Sequence, residues 1–128
     1  KVAAFLQGHP KAAWVNYAGL ADHPDHALVQ KYMGGRASGI INFGVKSADG
    51  DGKAAGARFQ DALKLVTRLV NIGDCKSLAC HPASTTHRQL SADELAKAGV
   101  AADMVRLSCG LEDTADPIAD LEQALEQC

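Results

Sequence analysis

Short apolar runs alternate with amphipathic stretches along this chain, and this alternation limits the fold more than any other feature. Some segments repeat apolar residues at helical spacing, while others crowd them together as buried strands do. The pattern predicts an α+β fold, an α/β sandwich in which helices cover a small antiparallel-rich sheet. Helices are expected over residues 1–7, 24–33, 54–70, 92–98 and from 116 onwards, and strands over 12–16, 38–46, 69–72, 77–81 and 104–110.

Two of these helices have distinct sequence signals. The segment 54–70 is the longest, and Phe59, Leu63 and Val66 repeat along it at helical spacing. Ser91 followed by Glu94 is the sequence of a capping box, in which each residue bonds the other's backbone, and it predicts where the next helix begins.

Length and charge exclude several classes of protein. The 128 residues suit one domain, and a net charge of −2 without a basic stripe argues against a nucleic-acid partner. No apolar run approaches the roughly 20 residues that cross a bilayer, so no membrane partner is expected. The four cysteines fit no disulfide framework, which favours a reduced, cytoplasmic protein. Because the chain opens at Lys1 directly into a helix-like segment, we expect a piece of a longer protein.

Arg106 is the most unusual residue for its surroundings, because it stands between Val105 and Leu107 on a strand-like segment. A guanidinium can bind a carboxylate through two parallel hydrogen bonds, and a strand would hold it in a fixed position. A functional Arg106 would therefore bind an anionic ligand. A structural Arg106 would instead pair with an acid of the chain such as Glu112 or Asp113, and both interpretations stay open at this point.

The segment 81–87, HPASTTH, collects two histidines and three hydroxyl groups in a loop, where ligand sites are frequent. A zinc site would have to draw on the cysteines and histidines near it. Their spacing matches no structural zinc pattern, so we expect no metal site and histidines bonded to local backbone. The residues in question are Cys75, Cys80, His81, His87 and Cys109.

Several motifs together resemble one enzyme family. The segments NIGDCKSLACHPASTTH and MVRLSCGLEDTADPIADLEQAL, with WVNYAGLADHPDH and SGIINFGVK before them, are similar to the C-terminal part of the Cys/Met-metabolism family of pyridoxal-phosphate enzymes. The similarity covers essentially all of residues 1–128. It implies the C-terminal substrate-binding domain of a fold-type I transferase, with the large cofactor-binding domain absent from this chain.

The resemblance implies a role for four residues. Arg106 would bind the α-carboxylate of an amino-acid substrate, and Asn71 would give that carboxylate a second contact, partly through its backbone. Thr86 and His87 would lie in the loop that borders the pocket. None of the chain's lysines lies in a sequence like the family's Schiff-base segment, so no catalytic or cofactor-binding residue is expected here. Pyridoxal 5'-phosphate would be held by the absent domain, and the isolated chain would be inactive.

The branch of the family is suggested by few positions. Lys76 before Ser77, with Asn71 ahead of the Gly-Asp turn, is closer to the O-acetylhomoserine sulfhydrylases, which replace acetate by sulfide or a thiol. The alternatives are a cystathionine γ-synthase or γ-lyase, a methionine γ-lyase, and a non-catalytic interaction domain. The resemblance also implies a homo-oligomer, a tetramer in the full-length enzyme.

Overall fold

The computed structural model describes residues 1–128, and five strands form one sheet with five α-helices around it. The strands are β1 (Ala12–Asn16), β2 (Ile40–Val45), β3 (Thr67–Arg68), β4 (Leu78–Cys80) and β5 (Met104–Ser108). The helices are α1 (Val2–Gly8), α2 (His26–Met33), α3 (Gly52–Ala62), α4 (Ala92–Lys97) and α5 (Ala115–Leu125), with a 3-10 turn at Pro82–Ser84.

The sheet has the order β1-β2-β5-β4-β3. The pairs β1–β2, β2–β5 and β4–β5 are antiparallel, and only the short edge strand β3 runs parallel to its neighbour β4. The expected α+β fold with an antiparallel-rich sheet is therefore confirmed. None of the helices combines the length and the apolar character that a bilayer crossing needs.

The helices α1, α3 and α5 cover one face of the sheet and form the main core with it. Strict alternation along β2 and β5 sends Ile41, Phe43, Val105 and Leu107 to this face, where each is almost completely buried. Phe43 meets Phe59 of α3 edge to face, with 5.5 Å between the ring centroids. Burying side chains of this size stabilises the fold by about 1.5–3 kcal/mol each.

The predicted helix 54–70 is wrong at its C-terminal end, because α3 stops at Ala62. The carboxylate of Asp120, on α5, accepts hydrogen bonds from the backbone N–H groups of Lys64, Leu65 and Val66 at 2.8–3.2 Å. These N–H groups would otherwise bond carbonyls one turn earlier in a longer helix. The chain after Ala62 thus leaves the helix and bends through residues 64–66, and the strand expected at 69–72 lies earlier, at β3.

Asp120 is buried and stays charged. Burial alone would raise the pKa of its carboxyl, but the bonds from Val66, Lys64, Leu65 and the Gln123 amide outweigh it and leave this pKa lower than usual.

The capping box is present as expected: Ser91 Oγ accepts from the Glu94 N–H, and the Glu94 carboxylate accepts from the Ser91 N–H at 2.8 Å.

Candidate functional site

The second face of the sheet carries a row of polar side chains at the level of Arg106. Since Val105 and Leu107 point into the core, Arg106 lies on this opposite face. Its partner in register is Asn42 on β2 and, on the other side, Cys80 on β4. Asn16 on β1 pairs with Asn42 and completes a row across four strands.

This row borders a cavity of about 420 Å³. Thr86 and His87, from the loop after β4, form one wall, and the segment 99–101, before β5, forms another. A volume of this size is at the lower end of the range for small-molecule sites, which suits a ligand as small as an amino acid. Trp14 stands at the border and donates its indole N–H to Asp103 Oδ2 at 3.0 Å.

The Arg106 guanidinium is not paired with any acid of the chain. The two ion pairs in the structure are His9–Glu122 and Arg68–Asp61. One polar contact of the guanidinium is a long one, from Nη2 to the backbone oxygen of Asn71 at 3.5 Å. The positive charge of Arg106 is therefore available to the cavity.

The structural interpretation of Arg106 as the partner of Glu112 or Asp113 is wrong. Glu112 accepts hydrogen bonds from the Ser77 backbone N–H at 2.6 Å and from Ser77 Oγ at 2.8 Å. Burial acts to raise the pKa of Glu112, but these bonds from Ser77 prevail and lower it. Asp113 accepts from the backbone N–H of Ala115 at 2.9 Å and so begins α5. Both acids are used to fix the loop that follows β5.

The structure brings three of the four expected site residues to one cavity. Arg106, Thr86 and His87 line it, and Thr86 Oγ1 lies 2.8 Å from His87 Nδ1. Asn71 is exposed and reaches the site through its carbonyl, which meets Arg106. The four roles that the family resemblance implies stay predictions, and their arrangement is compatible with them.

His81 lies in the interior and not at the cavity. Its Nε2 lies 2.8 Å from the Ala102 carbonyl, which can only accept, so Nε2 carries the proton and Nδ1 accepts from Ser84 Oγ at 2.8 Å. Burial lowers the pKa of His81, which keeps the ring neutral near pH 7. The histidine, cysteine and acidic side chains form no group of three that could hold a metal ion.

The sequence reasoning missed Asn42, Trp14 and Cys80 as residues of the cavity. A signal for Asn42 was present: a polar residue stands between two large apolar ones on a strand, as Arg106 does. Asparagine is common on half-exposed strands, so residue type alone gave it less weight than an arginine. Trp14 and Cys80 carried no such signal, because both suit a core.

Comparisons with known proteins identify one enzyme family and several similar relatives. A family model described as Cys/Met metabolism PLP-dependent enzyme matches residues 1–126. An O-acetyl-L-homoserine sulfhydrylase 1 from Thermus thermophilus is 49% identical over 124 residues, which make up 97% of this chain and 28% of that protein. An L-methionine gamma-lyase from Pseudomonas deceptionensis is 46% identical over 125 residues, or 98% of this chain and 30% of the relative.

A solved structure is similar as well. It is described as that of an O-acetylhomoserine (thiol)-lyase from Campylobacter jejuni, and it contains an N'-pyridoxyl-lysine-5'-monophosphate. The TM-score is 0.84 at 45% identity, and the match covers 98% of this chain and 29% of the other. The chain thus spans less than a third of the length of these relatives.

Proposed function

Because the chain belongs to the family of Cys/Met-metabolism PLP-dependent enzymes, we propose that it is the C-terminal, substrate-binding domain of an O-acetylhomoserine sulfhydrylase. The whole enzyme would replace the acetate of O-acetylhomoserine by sulfide or a thiol, in the synthesis of homocysteine and methionine. The observation that carries the proposal is the Arg106 guanidinium, which lines a cavity of suitable size without an acid of the chain as its partner.

Arg106 would contribute binding and orientation. A guanidinium on a strand binds a carboxylate with two parallel hydrogen bonds and so fixes both the position and the rotation of an amino acid. Fixing the reacting carbon relative to a catalytic group can lower a barrier by several kcal/mol. Thr86 and His87 would close the side of the cavity and limit the shape of the bound side chain.

We expect no site for pyridoxal phosphate in this chain alone. A cofactor that is attached as a Schiff base needs a lysine, and the cavity lining that contains Arg106 includes none. We therefore assign no reaction step to this chain. The proposal places the cofactor in another domain of the full-length protein and expects the isolated chain to be inactive.

We propose three kinds of partner for this chain. They are the cofactor-binding domain of the same polypeptide, further copies of the chain in a homo-oligomer (a tetramer for the full-length enzyme), and the amino-acid substrate. The compartment would be the cytoplasm.

The main alternative is another branch of the same family, such as a cystathionine γ-synthase or γ-lyase or a methionine γ-lyase. It is supported by the L-methionine gamma-lyase, which is nearly as similar to this chain as the sulfhydrylase. A non-catalytic interaction domain is the remaining alternative, and the unpaired Arg106 favours an anion-binding role over it.

The test uses the full-length protein loaded with pyridoxal phosphate. Homocysteine formation from O-acetyl-L-homoserine and sulfide is compared with 2-oxobutanoate release from methionine and from cystathionine. Faster homocysteine formation supports the sulfhydrylase proposal, and faster release from methionine would assign the protein to the lyases.

The role of Arg106 is tested in the same assay. Arg106→Ala should weaken transition-state binding by about 2–5 kcal/mol, because a substrate carboxylate would lose a desolvated partner. Arg36→Ala is the matched control, since Arg36 is exposed and lies outside the cavity. If both variants kept the same kcat/KM as the parent, Arg106 would have no role in substrate binding.

A further inference from the structure

We infer that Asn42 is a further residue that binds the ligand carboxylate, in addition to Arg106 and the expected contact from Asn71. This inference rests on the proposed function, because it assumes that the anion bound at Arg106 is an amino-acid carboxylate. It adds a specificity-determining residue to the same site.

The position of Asn42 follows from the register of the sheet. Asn42 lies directly opposite Arg106 in the β2–β5 pair, and both side chains line the cavity. Directly opposed residues in an antiparallel pair have their Cβ atoms about 4.5–5.5 Å apart. The flanking residues Ile41 and Phe43 are packed in the core, so the strand cannot turn Asn42 away from the cavity without exposing them.

The side-chain amide of Asn42 is available to form hydrogen bonds with a ligand. It makes no side-chain hydrogen bond within the protein, although it is only partly exposed. The next amide along the row, that of Asn16, lies one strand further from Arg106, and its Oδ1 lies 2.9 Å from His23 Nε2. On the other side of Arg106, Cys80 offers only a weak donor, and its Sγ lies 3.4 Å from Thr85 Oγ1. Asn42 is therefore the strong neutral donor directly beside Arg106 on the neighbouring strands.

The chemistry of a carboxylate suits this pair. Its two oxygens offer about four acceptor positions, and a bidentate guanidinium occupies two of them. The amide N–H of Asn42 can donate to a third. Such a donor stabilises a charged acid more than a neutral amide, because hydrogen bonds to charged groups are the stronger kind. Asn42 would thereby favour free amino acids over their amides.

The experiment measures competitive inhibition of the full-length holoenzyme by L-norvaline and by its amide, L-norvalinamide, which lacks the negative charge. Asn42→Ala should raise the inhibition constant of norvaline about tenfold, the loss expected for one hydrogen bond to a charged group. The constant for norvalinamide should rise by a clearly smaller factor, because a hydrogen bond to a neutral amide oxygen contributes less than one to a carboxylate. Gln127→Ala, which removes an exposed amide outside the cavity, is the control and should change neither constant.

Asn42→Asp is a second variant of nearly the same shape. It would place a carboxylate beside Arg106, compete for the guanidinium and repel the ligand, so its norvaline constant should rise more than that of Asn42→Ala.

Unchanged norvaline inhibition in both Asn42 variants would overturn the inference. Equal weakening of norvaline and norvalinamide would do the same, because it would show a purely structural role. Arg106→Ala is measured in parallel and separates this inference from the proposed function. If norvaline binding depends on Arg106 and not on Asn42, the inference alone fails; if it does not depend on Arg106, the proposed site fails.

Discussion

Replacing Gly56 by alanine should destabilise the protein, although the same change in most helices does the opposite. Gly56 lies inside α3, where alanine in place of glycine normally adds about 1 kcal/mol to helix stability. Here a Cβ would overlap the His81 ring, whose Cε1 would be only 3.0 Å away and whose Nε2 and Cδ2 would be closer still. The imidazole cannot step aside easily, because Ala102 and Ser84 bind its two nitrogens at 2.8 Å.

The size of the effect follows from these contacts. Overpacking a core costs about 1–3 kcal/mol, and each buried hydrogen bond of His81 that breaks costs about 1–3 kcal/mol more. Against a propensity gain of about 1 kcal/mol, the expected net loss is about 2–4 kcal/mol of unfolding free energy.

Urea unfolding followed by circular dichroism measures this loss, and Gly8→Ala is the matched control. Gly8 ends α1 and a Cβ there would meet nothing within 4 Å, so its substitution should be neutral or slightly stabilising. In a His81→Ala background the penalty of Gly56→Ala should largely disappear, because the ring that it meets is gone. A neutral or stabilising Gly56→Ala in the parent protein would refute the reasoning.

Two further predictions concern stability. Asp120→Asn should cost about 2–4 kcal/mol at pH 7, because one charged acceptor serves three backbone N–H groups. The pKa of Asp120 is lower in the folded than in the unfolded state, so the carboxylate stabilises the fold above the unfolded pKa of about 3.9. The difference between parent and variant should therefore shrink as the pH falls below about 4, and a pH-independent difference in urea titrations would contradict this. Trp14→Phe should cost about 1 kcal/mol through loss of the bond to Asp103, with Trp14→His, which keeps a ring N–H, recovering part of it in thermal unfolding.

Local signals in the sequence predicted local structure well. The strand β1 has the bounds that its apolar residues indicate, and the capping box of Ser91 and Glu94 forms as its spacing predicts. Both depend on residues that are close in the chain. The C-terminal end of α3 could not be predicted in this way, because it depends on Asp120, more than fifty positions later.

In the candidate site, too, nearby residues predict one part of the structure and distant residues determine another. The apolar run around Arg106 correctly predicted a strand there, since strand patterning is a local property. Which side chains stand beside Arg106 depends on the register of β2 and β4, and the sequence of β5 contains no information on that register. The position of Asn42 beside Arg106 could therefore be known only once the strands were paired.

The bonds from Asp120 have a consequence for the order of folding. Residues 63–66 continue the helical spacing of α3 in the sequence, yet in the folded protein their N–H groups bind the carboxylate of α5 and the chain bends out of the helix. During synthesis this segment leaves the ribosome well before α5 and would be free to continue α3 as a longer helix. The edge of the sheet formed by β3 would then be completed late, after α5 docks and converts helical residues into the connection that leads to β3.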